Sequence, residues 1–248
     1  MKISIITATY NSAATVSDTL ECIRRQIHPD VEHIIVDGGS TDATREIVSG
    51  FTHVSKWMSG KDNGLYDAMN KGIRLATGEI IGILNSDDIY TTSSVLSDVA
   101  TVFADPAVRA VYADLQYVHP GDTNRILRTW KTGPFRKRNF YYGWMPPHPT
   151  FFVRKDVYDQ AGLFNTDLRS AADYEIMLRI LLKFGIPVRY MPGFIVKMRT
   201  GGMSNSSVWN RLRANKEDRL AWKLNGLKPY FFTLYLKPLR KISQFLIK

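Results

Sequence analysis

Residues 2–42 read KISIITATYNSAATVSDTLECIRRQIHPDVEHIIVDGGSTD, and the reading of this stretch decides the fold class. Lys2 to Ala8 is a short β-branched run with Ile3, Ile5 and Ile6, the signature of a buried strand. Asn11 and Ser12 are helix-start residues, and Val16, Leu20, Ile23 and Ile27 follow at helical spacing. Glu32 to Val36 is a second apolar strand. It runs into the turn Asp37 to Asp42, after which Ala43 to Val48 reads as helix. Strand, helix, strand, helix, with little polar relief in the strands, predicts a mostly parallel sheet with helices on both faces.

Outward from there the alternation continues. His53 to Trp57 is a weaker strand. Leu65 to Ala76 is a helix with Leu65, Met69, Ile73 and Ala76 on one face and Gly78 as its stop. Glu79 to Leu84 is a buried strand ending at Asn85-Ser86-Asp87-Asp88, Thr92 to Phe103 a helix, and Ala110 to Tyr117 a strand. Beyond about residue 115 the pattern changes. Leu115 to Trp130 suggests paired strands around Pro120-Gly121, and Lys131 to Met145 a basic, aromatic loop. Thr150 to Val153 is a short strand, and Tyr174, Met177, Leu178, Leu181 and Leu182 share one helical face. Arg189 to Lys197 suggests strands broken at Pro192-Gly193, and Ser207 to Leu224 is a further helix.

The 248 residues suffice for one large α/β domain with a short appendage. Cys22 is the one cysteine, which excludes an intramolecular disulfide framework and fits a reducing compartment. The start is no signal peptide, and no run approaches the roughly 18 apolar residues of a spanning helix. The expectation is a cytoplasmic protein, at most peripheral to the inner face of the membrane. A net charge of +10 attracts anions generally. The basic residues are scattered without a base-reading helix, so nucleic acid is not an expected partner.

In an open α/β sheet, ligands sit at the carboxyl ends of the strands. Three turns fall there: Thr7 to Asn11, Asp37 to Asp42, and Asn85 to Asp88. Asp37 is either part of a capped turn or an acceptor for a base or ribose hydroxyl, with Gly38 and Gly39 permitting close approach. The pair Asp87-Asp88, after a buried apolar strand, is costly unless a cation compensates it or the turn caps the next helix. Mn²⁺ or Mg²⁺ suits carboxylate and phosphate ligands. Asp173 heads an amphipathic helix, as a cap or as a general base. His148, within Pro146 to Pro149, is either structural or a pocket residue. Gly201, Gly202 and Ser204 form either a phosphate-binding amide nest or a turn.

In order along the chain, ISIITATYNS, HIIVDGGSTDAT, GLYDAMNKGIRLATGEIIGILNSDD, HPTFFVRKDVYDQAGLFN and AADYEIMLRI resemble the family 2 glycosyltransferases, which have the GT-A fold. The stretches with GLYDAMNKG and GGMS look most like enzymes of bacterial surface-polysaccharide assembly. The resemblance implies an inverting, metal-dependent transferase. Its donor would be a UDP- or GDP-linked sugar and its acceptor a glycan or a polyprenyl-diphosphate-linked saccharide. Thr7, Ala8, Tyr10 and Asp37 would line the nucleoside pocket. Asn85, Ser86 and Asp87 would occupy the DxD position, with Asp87 on the metal, Asp88 as a second candidate, and Asn85 in place of the motif's first acid. Asp173 would be the base, preceded by Ala172 where many members carry an acid.

A sugar nucleotidyltransferase would show a glycine-rich, lysine-bearing phosphate loop where TATYNS stands. A non-catalytic sugar-nucleotide-binding module remains open from sequence. The expected organisation is a GT-A catalytic unit over 1–205, with a nucleotide-sugar half over 1–115 and an acceptor half over 116–205. A basic helical tail over 206–248 follows. In it Tyr230 to Leu236 form an apolar run bounded by Pro229 and Pro238. Leu239, Ile242, Phe245 and Leu246 then recur beside Arg240 and Lys241. Such a tail suits either an anionic bilayer surface or packing on the catalytic unit.

Overall fold

The computed structural model describes residues 1–201 and 208–244, leaving aside the side chains of 208–213 and 241–243. The described strands are β1 (Ile3–Thr9), β2 (Val31–Asp37), β3 (Val54–Ser59), β4 (Ile80–Ile83), β5 (Asp88–Tyr90), β6 (Ala110–His119), β7 (Asp122–Trp130), β8 (Phe152–Arg154) and β9 (Val188–Arg199). They form one sheet in the order β3-β2-β1-β4-β8-β6-β9-β5, with β7 paired to the far half of β6. Strands β1 to β4, β6 and β9 run one way, and β5, β7 and β8 run against them. The sheet is therefore mostly parallel, and the carboxyl ends of β1, β2, β4 and β9 share one edge.

Period-two alternation splits the strand residues between two cores. Ile6, Ala8, Ile34, Val36, Ile81 and Ile83 face one side; Ile3, Ile5, Ile80 and Leu84 face the other. Helices α1 (Val16–Arg24) and α4 (Val95–Phe103) cover the side of Ile3 and Ile5. Helices α3 (Leu65–Leu75), α6 (Lys155–Ala161) and α7 (Ala172–Leu178) cover the side of Ile6. Helix α2 (Thr44–Ser49) closes a small third cluster around Val16, Leu20, Ile35 and Val48. A side chain at Gly72 would collide with Ile6, its Cβ 2.3 Å from Cγ2, so that glycine sets how closely α3 lies on the sheet.

Several elements depart from the sequence pattern. Ile27 lies beyond the end of α1 and is 66% exposed. Asp88 both closes the turn, its N–H bonding the Asn85 carbonyl at 3.0 Å, and opens β5, which pairs with β9. The Lys131–Met145 stretch holds the short helix α5 (Lys137–Tyr141). Its Phe140 is fully buried, packed edge-on against Trp144, so these aromatics belong to the core. Strand β9 is not broken at Pro192-Gly193: Gly193 takes a φ of 127°, and the pairing with β6 absorbs the irregularity as register shifts.

The C-terminal helices α8 (Val208–Leu224) and α9 (Thr233–Ser243) lie on the main core. Trp222 is fully buried and donates its indole N–H to the Tyr174 hydroxyl at 2.9 Å. Asn225 donates to Glu175 at 2.9 Å, and Thr233 to the Tyr141 carbonyl at 2.6 Å. Pro238 sits inside α9 on its exposed side rather than interrupting the run, where water can take the place of the lost donor. No described helix is long and apolar enough to cross a membrane.

Candidate active site

The three turns at the carboxyl edge are knitted together by their own side chains. Asn11, with a left-handed φ of 48°, takes a bond from Thr41 N at 2.9 Å, and its own amide reaches Ser40 Oγ at 2.8 Å. Ser12 N donates to Thr44 Oγ1 at 2.7 Å, and Ser12 Oγ meets Ser86 Oγ at 2.8 Å. The first turn is thus fastened to both others. Tyr10 projects from it, 64% exposed. Ala8 is buried beneath. Thr7 is buried too, its hydroxyl paired with the inner ring of the His33–His53 couple at 3.1 Å, so its side chain is directed into the sheet layer.

Asp37 is buried and saturated. It accepts from Thr9 Oγ1, Ser40 Oγ, Ser59 Oγ and the amides of Gly39 and Ser40. Burial alone would push its pKa up; the bonds from Ser40, Ser59 and Thr9 outweigh this and hold the carboxyl below its ordinary value. Beside it lies an acid that the sequence reading missed. A Cβ on Gly38 would stand 2.6 Å from Asp62 Oδ2, so Gly38 leaves the room that the Asp62 carboxylate takes up. Asp62 Oδ1 accepts from Gly64 N at 2.8 Å just ahead of α3, an Asx turn that was the available sequence signal.

The acidic turn separates its residues. Asn85 Nδ2 donates to Asp88 Oδ2 at 2.9 Å, so the side chain at the motif's first position points inward. Asp88 is fully buried; burial first, then the neighbouring Asp87, pushes its pKa well up. Asp87 is half-buried, and burial raises its pKa as well. Asn85 Oδ1 and Asp88 Oδ1 are buried without a donor among the described residues. The turn has more acceptor oxygens than donors, and that is the electrostatic setting a cation would relieve. Behind it Arg199, 7% exposed, donates to the Asp87 carbonyl at 2.8 Å and the Pro120 carbonyl at 3.1 Å, and pairs with Asp18.

Asp173 stands in the first turn of α7, two residues after the cap position, which is Ala171 and makes no side-chain cap. Its Oδ1 accepts from Tyr174 N at 2.8 Å and from the Tyr66 hydroxyl at 3.4 Å. Tyr66, from α3, stacks on Phe164, whose ring meets His148 edge-on. Burial holds the His148 imidazole below its usual pKa, with Asp173 opposing. The loop ahead of Asp173 is clamped from α8: Glu217 accepts from Ser170 N at 2.7 Å and Ser170 Oγ at 2.9 Å. Tyr117 stacks on Trp130, and burial raises its hydroxyl's pKa, with Arg128 opposing and Asp88 and Asp173 adding to the rise. Gly201 is exposed, with a φ of 106°; Gly202 and Ser204 lie outside the described residues.

The sequence pattern of "Glycosyl transferase family 2" matches residues 4–162, from β1 through α6. The chain belongs to glycosyl transferase family 2. A PGL/p-HBAD biosynthesis glycosyltransferase of Mycobacterium bovis is 30% identical to this glycosyltransferase over 220 residues, covering 83% of this chain and 80% of that one. S. aureus TarS 1-349, solved with UDP-GlcNAc, superposes with a TM-score of 0.71 at 18% identity, over 99% of this chain and 72% of the other. A longer TarS structure is spanned to 43% of its length. A mannosyltransferase of Pyrobaculum calidifontis, solved with GDP-Man and Mn²⁺, superposes at 0.66 and 20% identity, over 98% of this chain and 73% of that one. The architecture of this family 2 enzyme is therefore that of GT-A glycosyltransferases.

Proposed function

We propose that this glycosyltransferase moves a sugar from a UDP- or GDP-linked donor to an acceptor hydroxyl by a single inverting displacement. Asp173 is the base and Asp87 the protein ligand of a Mn²⁺ or Mg²⁺ ion. The observation that carries the reading is the acceptor-rich Asn85–Asp88 turn at the carboxyl edge of the sheet, where Asn85 Oδ1 and Asp88 Oδ1 are buried without a donor among the described residues. Tyr66 and the Tyr174 amide both bond Oδ1 of Asp173, which leaves Oδ2 to take the proton from the acceptor hydroxyl. Tyr10, Asp37 and Asp62 border the nucleoside end of the cleft, with Ser86 beside the phosphates.

The residues at the turn fit a cation. Asp87 is presented while Asp88 and Asn85 bond each other behind it, and no cluster of three ligating acids or histidines occurs among the described residues. This is the sparse protein share typical of Mg²⁺ sites completed by substrate phosphates. Bound there, the ion supplies neutralisation of the charge that grows on the departing diphosphate.

The acceptor is a glycan or a polyprenyl-diphosphate-linked saccharide of surface-polysaccharide assembly, met at the inner face of the membrane. Support comes from the PGL/p-HBAD assignment of the mycobacterial relative and from the exposed Tyr230, Phe231, Tyr235 and Leu239 beside basic Lys228 and Arg240.

A panel of UDP- and GDP-sugars, assayed for nucleoside diphosphate release with Mn²⁺ and acceptor, tests the reading. Asp87→Ala and Asp173→Asn should each lower turnover by at least about a hundredfold. Wild-type rates in either variant, or a product that retains the donor's anomeric configuration, would refute it.

A further inference from the structure

Asp37 holds the place after β2 where an acid could accept hydrogen bonds from a nucleoside, yet its lone pairs are spent. Oδ1 takes Thr9 Oγ1, Ser40 Oγ and the Ser40 amide; Oδ2 takes Ser59 Oγ and the amides of Gly39 and Ser40. A carboxylate has about four lone-pair sites. Asp37 is also only 1% exposed. It builds the turn and keeps no acceptor for a ligand.

Asp62 is its opposite. It lies on the segment after β3 that crosses this turn: Gly60 N donates to the Asp37 carbonyl at 3.0 Å, and a Cβ on Gly39 would stand 3.5 Å from the Lys61 amide nitrogen. The Asp62 carboxylate is half-buried against Gly38 and takes one bond, from Gly64 N to Oδ1 at 2.8 Å. Oδ2 meets no donor or cation among the described residues. The Asx turn and the close approach to Gly38 hold the group in place with most of its acceptor capacity unspent.

Position and charge limit what this acid can meet. The sheet order is β3-β2-β1-β4, with neighbouring strands about 4.8 Å apart. With the diphosphate at the Asp87 turn after β4, as proposed above, a nucleoside laid along the carboxyl edge has its ribose near β1 and its base near β2 and β3, where Asp62 stands. An anion repels the phosphates and suits only N–H or O–H groups. Uracil offers one N–H on its outer edge, flanked by two carbonyl oxygens that would face the carboxylate. Guanine offers two adjacent donors, N1–H and the 2-amino group, and matches a carboxylate bond for bond.

We propose that Asp62 selects the base of the donor, taking N1–H and the 2-amino group of guanine on its two oxygens, so that the donor is a GDP-linked sugar. The assignment rests on the donor-cleft reading above and narrows it from two nucleotides to one.

Titration calorimetry with GDP, UDP and IDP, each with Mn²⁺, tests the assignment; IDP is GDP without the 2-amino group. The unaltered protein should bind GDP at least about tenfold more tightly than either of the others. Asp62→Asn keeps an oxygen for Gly64 N but sets an amide N–H against one of the guanine donors. In it GDP should bind at least about tenfold more weakly, and its advantage over IDP should shrink to within about twofold, at an unchanged melting temperature. Asp37→Asn should melt lower and weaken all three nucleotides alike. UDP binding as tight as GDP binding would overturn the choice of guanine and leave the donor cleft standing. Equal weakening of all three nucleotides in Asp62→Asn would put the carboxylate on the ribose and overturn the assignment, as would a preference for GDP over IDP that survives this variant. Loss of that preference in Asp37→Asn alone would return the base to Asp37. Failure of all three nucleotides to bind would sink the donor-cleft reading itself, and this assignment with it.

Discussion

Replacing Arg199 by Met tests whether the acidic turn is held from behind. The substitution keeps the stem and removes a guanidinium that bonds two backbone carbonyls, of Asp87 and Pro120, from a nearly fully buried position. Each charged bond to a buried carbonyl is worth about 1.5 kcal/mol at the low end, so losing two costs about 3 kcal/mol. The Asp18 partner is 60% exposed and rehydrates, so its pairing adds well under 1 kcal/mol. A loss near 3 kcal/mol in a domain of this size lowers the melting temperature by roughly 6–12 °C. The chemical consequence is larger than the thermal one. With the Asp87 carbonyl released, the turn no longer presents its carboxylate in one place. Mn²⁺ affinity in the presence of UDP or GDP, followed by water-proton relaxation, should fall at least about tenfold. Arg199→Lys should recover part of the stability and little of the metal affinity, because an ammonium cannot span both carbonyls and Asp18. A methionine variant that melts within about 2 °C of wild type and binds Mn²⁺ equally well would refute the reasoning.

Glu217→Ala should lower turnover about tenfold at an unchanged donor KM, since it frees the Ser170 loop ahead of Asp173, and Glu217→Gln, which keeps an acceptor oxygen, should restore most of it; a change in donor KM alone would contradict this. Asn85→Asp replaces a donor by a second acid against the buried Asp88 and should destabilise the metal-free protein by about 2 kcal/mol, with the deficit shrinking when Mn²⁺ and nucleotide are added; an equal deficit in both conditions, read from urea unfolding, would count against a cation at the turn. Two buried groups contribute to the loss of stability in acid. Burial, helped by His53, lowers His33 from 6.5 to about 3, so its contribution is full above pH 6.5 and lost as the pH falls toward 3. Glu32 is lowered from 4.5 to about 2, its burial outweighed by bonds from Ser4, Thr77 and Lys56, so its contribution is full above pH 4.5 and lost as the pH falls toward 2. Unfolding free energy should therefore decline from pH 6.5 to 4.5 less steeply in His33→Gln than in wild type, and an unchanged slope would exclude the histidine as its source.

What could be read from sequence was what is local. The buried strands β1, β2 and β4 announce themselves because both faces are covered, and the turns after them because Asn, Asp, Gly and Ser have few other uses at such points. Asp173 and Asp87 emerged as candidates through order along the chain. The contacts that orient them did not. Arg199 reaches Asp87 across 112 residues, and Tyr66 reaches Asp173 across 107. No periodicity encodes such pairs. The inward turn of Asn85 depends on Asp88 opening a strand as well as closing the turn, and that is decided by pairing with β9. The aromatic run around Phe140 looked like loop because its burial requires α7, α8 and α9 to be in place.

The clamp of Ser170 by Glu217 and the bond from Trp222 to Tyr174 set an order of events during synthesis. The first strands and helix α7 leave the ribosome before α8, yet the segment carrying Asp173 is gripped on both sides by residues made some 47 and 48 positions later. A nascent chain can thus complete the first strands of the sheet while the segment around Asp173 still lacks these two anchors. If Asp173 is the base, as proposed above, chains truncated before α8 should be inactive even with the sheet formed.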